Sequence, residues 1–174
     1  MANLYWSIMK KIVLFAALFL LVAFVPAEDK EKVKINQLLD NWHKAAADAN
    51  FEAYFKPMTR NAIFIGTDAT ENWDKAAFQA YAKPYFDKGK AWNFKRIERH
   101  IYVSQDQKTA WFDELLDTQM KICRGSGILL KQNGEWKIAQ YVLSMTVPNE
   151  HTEAVVKLKA PIEEALMEQI KNLK

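Results

Sequence analysis

One cysteine, Cys123, stands among 174 residues, so no internal disulfide can form and stability must rest on packing. No lipobox cysteine directly follows the N-terminal apolar run, which argues against a lipid anchor there. Neither HxH, HExxH nor paired-cysteine spacing occurs, and His43, His100 and His151 lie on separate elements; no metal site and no cofactor are expected. Repeats, linkers and low-complexity stretches are missing between residues 31 and 147. An excess of charge of one sign is missing too. Without Lys10 and Lys11 the 24 basic residues become 22 against 21 acidic ones, near +1. That balance gives no general attraction to nucleic acid or anionic lipid.

What is present begins with an address. Lys10-Lys11 precede an apolar run from Ile12 to Val25, and Val25-Pro26-Ala27 offers small residues where a signal peptidase reads. The run is short for a membrane span of about 20 residues; an uncleaved anchor is the alternative. Residues 1–27 are thus expected to be a signal peptide. The mature chain is expected to begin at Glu28, be periplasmic or secreted, and have no stable membrane insertion. Met9 directly precedes the lysines, so either Met1 or Met9 can serve as the start. The remaining 147 residues, with five tryptophans, suit one domain with one core.

Ile35, Leu38, Leu39, Trp42, Ala45, Ala46 and Ala49 form one apolar stripe, predicting a helix over 31–49. Asn50 is placed to cap a short continuation that Pro57 stops. Residues 61–65 read as a strand. A helix starting near Asp74 presents Phe78, Tyr81, Ala82, Tyr85 and Phe86 on one side, with Pro84 expected to kink or restart it. From Ala91 the period falls to about two, predicting strands over 92–104, 109–118, 122–131 and 136–146. Residues 149–174 form a C-terminal amphipathic helical extension, which Pro161 is expected to break.

Helices, a short strand, a helix and four long antiparallel strands follow the order of the cone-shaped α+β fold shared by nuclear transport factor 2 and ketosteroid isomerase. Phe64-Ile65-Gly66-Thr67-Asp68 with Glu71 and Trp73, Ala110-Trp111-Phe112-Asp113-Glu114, and Trp136-Lys137-Ile138 ending at Ser144 resemble SnoaL-like domains of that superfamily. The resemblance spans roughly residues 31 to 147, within a domain taken as 28–148. It implies a deep pocket between a curved sheet and the helices, and commonly a homodimer through the sheet's outer side. Ketosteroid isomerases would carry their general-base aspartate near Ile65-Gly66, where this chain has no carboxylate. Asp68 is the nearest acid, and in a Gly-Thr-Asp turn it more simply accepts backbone hydrogen bonds.

Ser126, in Arg124-Gly125-Ser126-Gly127, lacks the first glycine of a nucleophile elbow, and Cys123 reads as core packing. The basic and aromatic mixture from Lys83 to Arg99 reads as a solvated face rather than a nucleic-acid site. Asp113, Glu114 and Asp117 lie on a strand otherwise apolar on both faces. At least one is a candidate for a partly buried acid with a raised pKa, the alternative being an exposed strand end. A three-residue loop, Gln132-Asn133-Gly134, would set Leu130 opposite Trp136 and spare Lys131 that pairing. Arg124, Ser126, Ile128 and Leu130 would then share the inner face with Trp136, Ile138, Gln140 and Val142. The expected ligand site is therefore Trp73, Tyr81, Tyr85, Trp111, Arg124, Ser126 and Gln140. The leading expectation is a non-catalytic binder of a small, largely apolar molecule that can carry an acidic group. The alternatives are an isomerase-, cyclase- or dehydratase-type enzyme with Asp113 or Glu114 as general base, and a purely structural or interaction module.

Overall fold

A computed structural model of the chain describes residues 27–173. The expected signal peptide lies almost wholly outside the described residues. Helix α1 (Ala27–Ala47) buries Ile35, Leu39, Trp42 and Ala46. Asn50 Oδ1 accepts from the Ala53 amide at 3.0 Å and starts α2 (Phe51–Phe55), which buries Tyr54 and Phe55. Strand β1 (Met58–Ile65) and the short β2 (Asn72–Asp74) follow; the sequence pattern had no signal for so brief a β2. Asp74 caps α3 (Lys75–Asp87), accepting from the Ala77 amide at 2.8 Å, and α3 buries Phe78, Ala82 and Phe86. Strands β3 (Lys95–Val103), β4 (Thr109–Thr118), β5 (Lys121–Gln132) and β6 (Glu135–Met145) complete a six-stranded sheet in the order β2-β1-β6-β5-β4-β3. All pairs are antiparallel except β1 with β6. Register shifts at Arg96/Glu98, Ile128/Leu129 and Met58/Ile63 bend the strands and give the sheet its curvature. The α+β fold expected from the sequence is therefore the one observed.

Helix α4 (Thr152–Asn172) runs uninterrupted through Pro161, as α3 does through Pro84. Neither proline restarts its helix; each removes one backbone donor from an otherwise continuous helix. No residue of α4 is buried among the described residues.

The β5–β6 hairpin overturns the expected register. Its loop has two residues, Asn133 and Gly134, with φ of 51° and 83°, and Gln132 pairs with Glu135 and Lys131 with Trp136. Both central residues lie in the left-handed region, as the tightest hairpin turns require. Glu31 on α1 is buried beneath this end of the sheet. It accepts from Lys131 Nζ at 2.8 Å, Trp136 Nε1 at 2.7 Å and Lys34 Nζ at 2.7 Å. Burial alone would raise its pKa, but those three donors outweigh it and hold the carboxyl at about 2. Cys123, Gly125, Gly127 and Leu129 consequently face the core from β5, while Arg124, Ser126, Ile128 and Leu130 face outward.

Candidate functional site

The concave side of the sheet is filled by the chain's own side chains. Trp42, Tyr54, Phe78 and Tyr141 are fully buried there, with the Trp42 and Tyr54 rings stacked at 4.9 Å and those of Phe64 and Phe78 at 3.9 Å. Within this apolar mass sits one carboxylate, Glu114 of β4, 1% exposed. Its Oε1 lies 2.8 Å from His43 Nε2 and accepts from the Tyr141 hydroxyl at 3.1 Å. Its Oε2 accepts from Arg99 Nε at 2.8 Å, with Arg99 Nη2 2.6 Å from the same oxygen but poorly aligned for a hydrogen bond. Arg99 is itself tied to α1, donating from Nη1 to Asp40 Oδ1 at 2.9 Å and to Asn36 at 3.2 Å.

Desolvation would raise the Glu114 pKa. His43 and Arg99 outweigh it and hold the carboxyl below the usual range, so the expected direction of shift is corrected. With one oxygen against the His43 imidazole and the Tyr141 hydroxyl and the other against the Arg99 guanidinium, Glu114 ties α1 to three strands and has little capacity to accept a proton from a substrate. Burial pushes the Tyr141 hydroxyl well above its ordinary pKa, and the Glu114 charge adds to that.

Open space remains at one end of the cone, where the C-terminal ends of β1 and β6 meet the β4–β5 turn. A cavity of about 180 Å³ lies there, walled by Phe64, Trp73, Phe78, Tyr81, Trp92 and Phe94. Gly66, Thr67, Glu71, Gln119, Met120 and Leu143 complete its lining. It adjoins an open depression of about 620 Å³ that shares Tyr81, Trp92 and Gln119 and adds Tyr85. The rings run nearly parallel: Trp73 lies 4.5 Å from Tyr81 at 24° and 5.7 Å from Phe78 at 14°, and Phe78 lies 5.8 Å from Trp92 at 24°. A groove of about 500 Å³ at the opposite end is walled partly by Lys34, Lys56 and Lys137.

The expected site residues divide between the two faces of the sheet. Trp73, Tyr81 and Tyr85 gather at the mouth. Trp111, 48% exposed, stacks on Tyr102 on the outer face, and Ser126, Arg124 and Gln140 also lie there, paired across strands with Asp113, Leu115 and Ile128 respectively. The two-residue hairpin loop is the cause, because one residue of slip exchanges the faces of a strand. Gln140 is turned outward by the shift at Ile128/Leu129, which restores Tyr141 and Leu143 to the core. Asp113 is likewise outside, with His100 Nδ1 3.1 Å from its carboxylate. Asp68 is a capped turn, accepting from the Thr70 amide at 2.9 Å.

Nothing in the sequence pattern pairs His43 or Arg99 with a partner or marks Glu71, Trp92, Phe94 and Gln119 as cavity residues. A periodic pattern reports faces, whereas these residues come together only through the order of strands in the sheet. Among the described residues no group of histidine, cysteine and carboxylate side chains is placed to hold a metal ion.

A family model described as a SnoaL-like domain matches residues 35–148. Among solved structures, a Pseudomonas putida NTF2-like protein of unknown function is 16% identical with a TM-score of 0.57, covering 68% of this chain and 88% of that one. A Nostoc punctiforme domain of unknown function with a cystatin-like fold is 14% identical at a TM-score of 0.60, covering 83% and 97%. A candidate dehydratase of the NTF2-like family from Streptomyces avermitilis is 11% identical at 0.59, covering 69% and 99%. These likenesses establish the fold alone. No curated protein matches the chain.

Proposed function

This chain belongs to the SnoaL-like domain family, and from that premise we propose that it is an exported, non-catalytic binder of a small, flat, largely apolar molecule. The observation that carries the reading is the mouth cavity, whose near-parallel rings suit a planar guest. Acidity drops out of the ligand's description. Arg124, which was to receive an acid, faces outward, and the cavity's one formal charge, Glu71, is negative.

Screening the purified protein against metabolite pools for thermal stabilisation tests the reading. A stabilising compound should be recovered unchanged; its turnover would favour the alternative, an isomerase-, cyclase- or dehydratase-type enzyme. That enzyme would have to use Glu71, since Glu114 does not line the cavity and Asp113 lies on the other face. If nothing stabilises the protein, the filled interior favours a structural or interaction module instead.

Export is part of the proposal and rests on the N-terminal pattern of residues 1–27. No helix among the described residues is long and apolar enough to cross a membrane. Mass spectrometry of the extracellular or periplasmic fraction should find a chain beginning at Glu28; full-length chain in the membrane pellet would contradict it.

A homodimer through the outer face completes the reading. Tyr102, Trp111, Ile128 and Leu130 are between 36% and 48% exposed there and neighbour one another across β3, β4 and β5, an apolar surface of the kind that marks an interface. Light scattering at micromolar concentration should give a dimer, and Trp111→Glu a monomer. A monomeric parent protein would refute the assembly.

A further inference from the structure

Twelve residues line the mouth cavity, and Glu71 is the only one with a formal charge. The chain holds it in place through its backbone: the Gly66 amide donates to the Glu71 carbonyl at 2.9 Å, and the Glu71 amide donates to the Asp68 carbonyl at 3.0 Å. One carboxylate oxygen accepts from the Asp68 amide at 3.2 Å. The side chain folds back over Gly66 so closely that a Cβ there would overlap Glu71 Oε2. Among the described residues no cation pairs with it. Its charge reaches the rim, where burial, the neighbouring Tyr85 and then Glu71 all raise the Tyr81 pKa.

A half-buried carboxylate in the wall of a cavity otherwise lined largely by aromatic rings discriminates strongly by charge. A ligand carboxylate would meet like charge, and an alcohol would offer a single neutral donor. An ammonium group offers charge-assisted hydrogen bonds to Glu71 and attraction to the surrounding rings. Size sets the rest of the ligand: an apolar cavity of about 150 Å³ holds a benzene ring, and this one measures about 180 Å³. We infer that the mouth cavity selects a small aromatic ammonium ion, its cationic head against Glu71 and its ring among Trp73, Phe78, Tyr81 and Trp92. The inference rests on the binder reading of the same cavity and adds the charge of the ligand.

Benzylammonium, benzyl alcohol and phenylacetate share one body and differ in their heads, and tryptophan fluorescence from Trp73 and Trp92 can follow their titration. Benzylammonium should bind at least about tenfold more tightly than benzyl alcohol, and phenylacetate most weakly, as expected for a charge-assisted contact. Glu71→Gln should bring the first two within about threefold. Gly66→Ala keeps the charge but displaces the carboxylate, and should act in the same direction. Circular dichroism checks that both variants fold, while the comparison of the three heads on the parent protein needs no variant. Alcohol or phenylacetate binding as tightly as the ammonium would overturn the charge selection and leave the cavity a ligand site. A preference that survives Glu71→Gln would overturn the role of that residue. No response to any of the three would overturn the cavity as a site for such molecules altogether.

Discussion

Arg99→Met should lower stability by about 3–5 kcal/mol in chemical denaturation at neutral pH, the range for removing one partner from a buried ion pair. The Arg99 side chain is fully buried, as is that of Glu114, so methionine would leave a carboxylate in the core with only His43 and Tyr141 beside it. The effect should depend on pH in a defined sense. In the parent protein Glu114 titrates below its ordinary value of 4.5, so its contribution is complete above that value. It fades as pH falls and is lost beneath the folded-state pKa. In Arg99→Met burial faces one fewer opposing charge, the Glu114 pKa rises, and the deficit relative to the parent should narrow in acid. Arg99→Met with Glu114→Gln should lose less than Arg99→Met alone. A loss under about 1 kcal/mol, or a deficit that widens in acid, would show that the pair is not buried in the sense argued.

That network explains why the fold was legible in the sequence while its polar centre was not. Helix α1, strand β4 and the caps at Asn50 and Asp74 each announce themselves within a dozen residues, through apolar spacing or a side chain that accepts from a nearby amide. The alternation along β4 also placed Phe112 and Leu116 on one face and Trp111 and Leu115 on the other, as found. Glu114 falls on the inner face by the same alternation. What it meets there comes from α1, β3 and β6, elements whose adjacency depends on strand order. A charge read along the chain looks exposed or costly; its partners appear only once the sheet is assembled.

The β5–β6 hairpin shows the same lesson at a single pairing. Lys131 opposite Trp136 looks like a poor match when only the two strands are considered, and that judgement favoured a three-residue loop and an inward Arg124. Glu31 reverses it. A buried carboxylate from α1 takes a hydrogen bond from each of the two side chains, and the Lys131 ammonium lies 5.4 Å from the Trp136 ring centroid. The Asn133-Gly134 turn, whose signal was local and strong, fixed the register. Cross-strand compatibility was the weaker guide because a third element supplied the missing partner.

Gly125→Ala should destabilise the fold by about 3 kcal/mol although it adds only one methyl group. Gly125 faces the core from β5 directly opposite Glu114 on β4, and the added Cβ would overlap the Tyr141 hydroxyl and approach Glu114 Oε1 to 2.9 Å. Overfilling a packed core costs about 1–3 kcal/mol, and displacing a buried hydroxyl from its acceptor adds about 1–3 kcal/mol. Gly127 is as tightly placed two residues on, where a Cβ would overlap the Gln140 backbone carbonyl oxygen and press on the Phe112 ring. The glycines of Arg124-Gly125-Ser126-Gly127 thus leave room on the sheet's inner surface for side chains and, at Gly127, a backbone carbonyl of neighbouring strands, and Ser126 between them points outward. Ser126→Ala should accordingly change stability by less than about 0.5 kcal/mol. Adding Tyr141→Phe to Gly125→Ala should recover part of the loss, because the hydroxyl that meets the new methyl is then gone. Thermal and chemical denaturation of the three variants would decide it. A Gly125→Ala protein within about 1 kcal/mol of the parent would mean that Tyr141 and Glu114 have room to move, and that the glycine is not what holds their hydrogen bond in place.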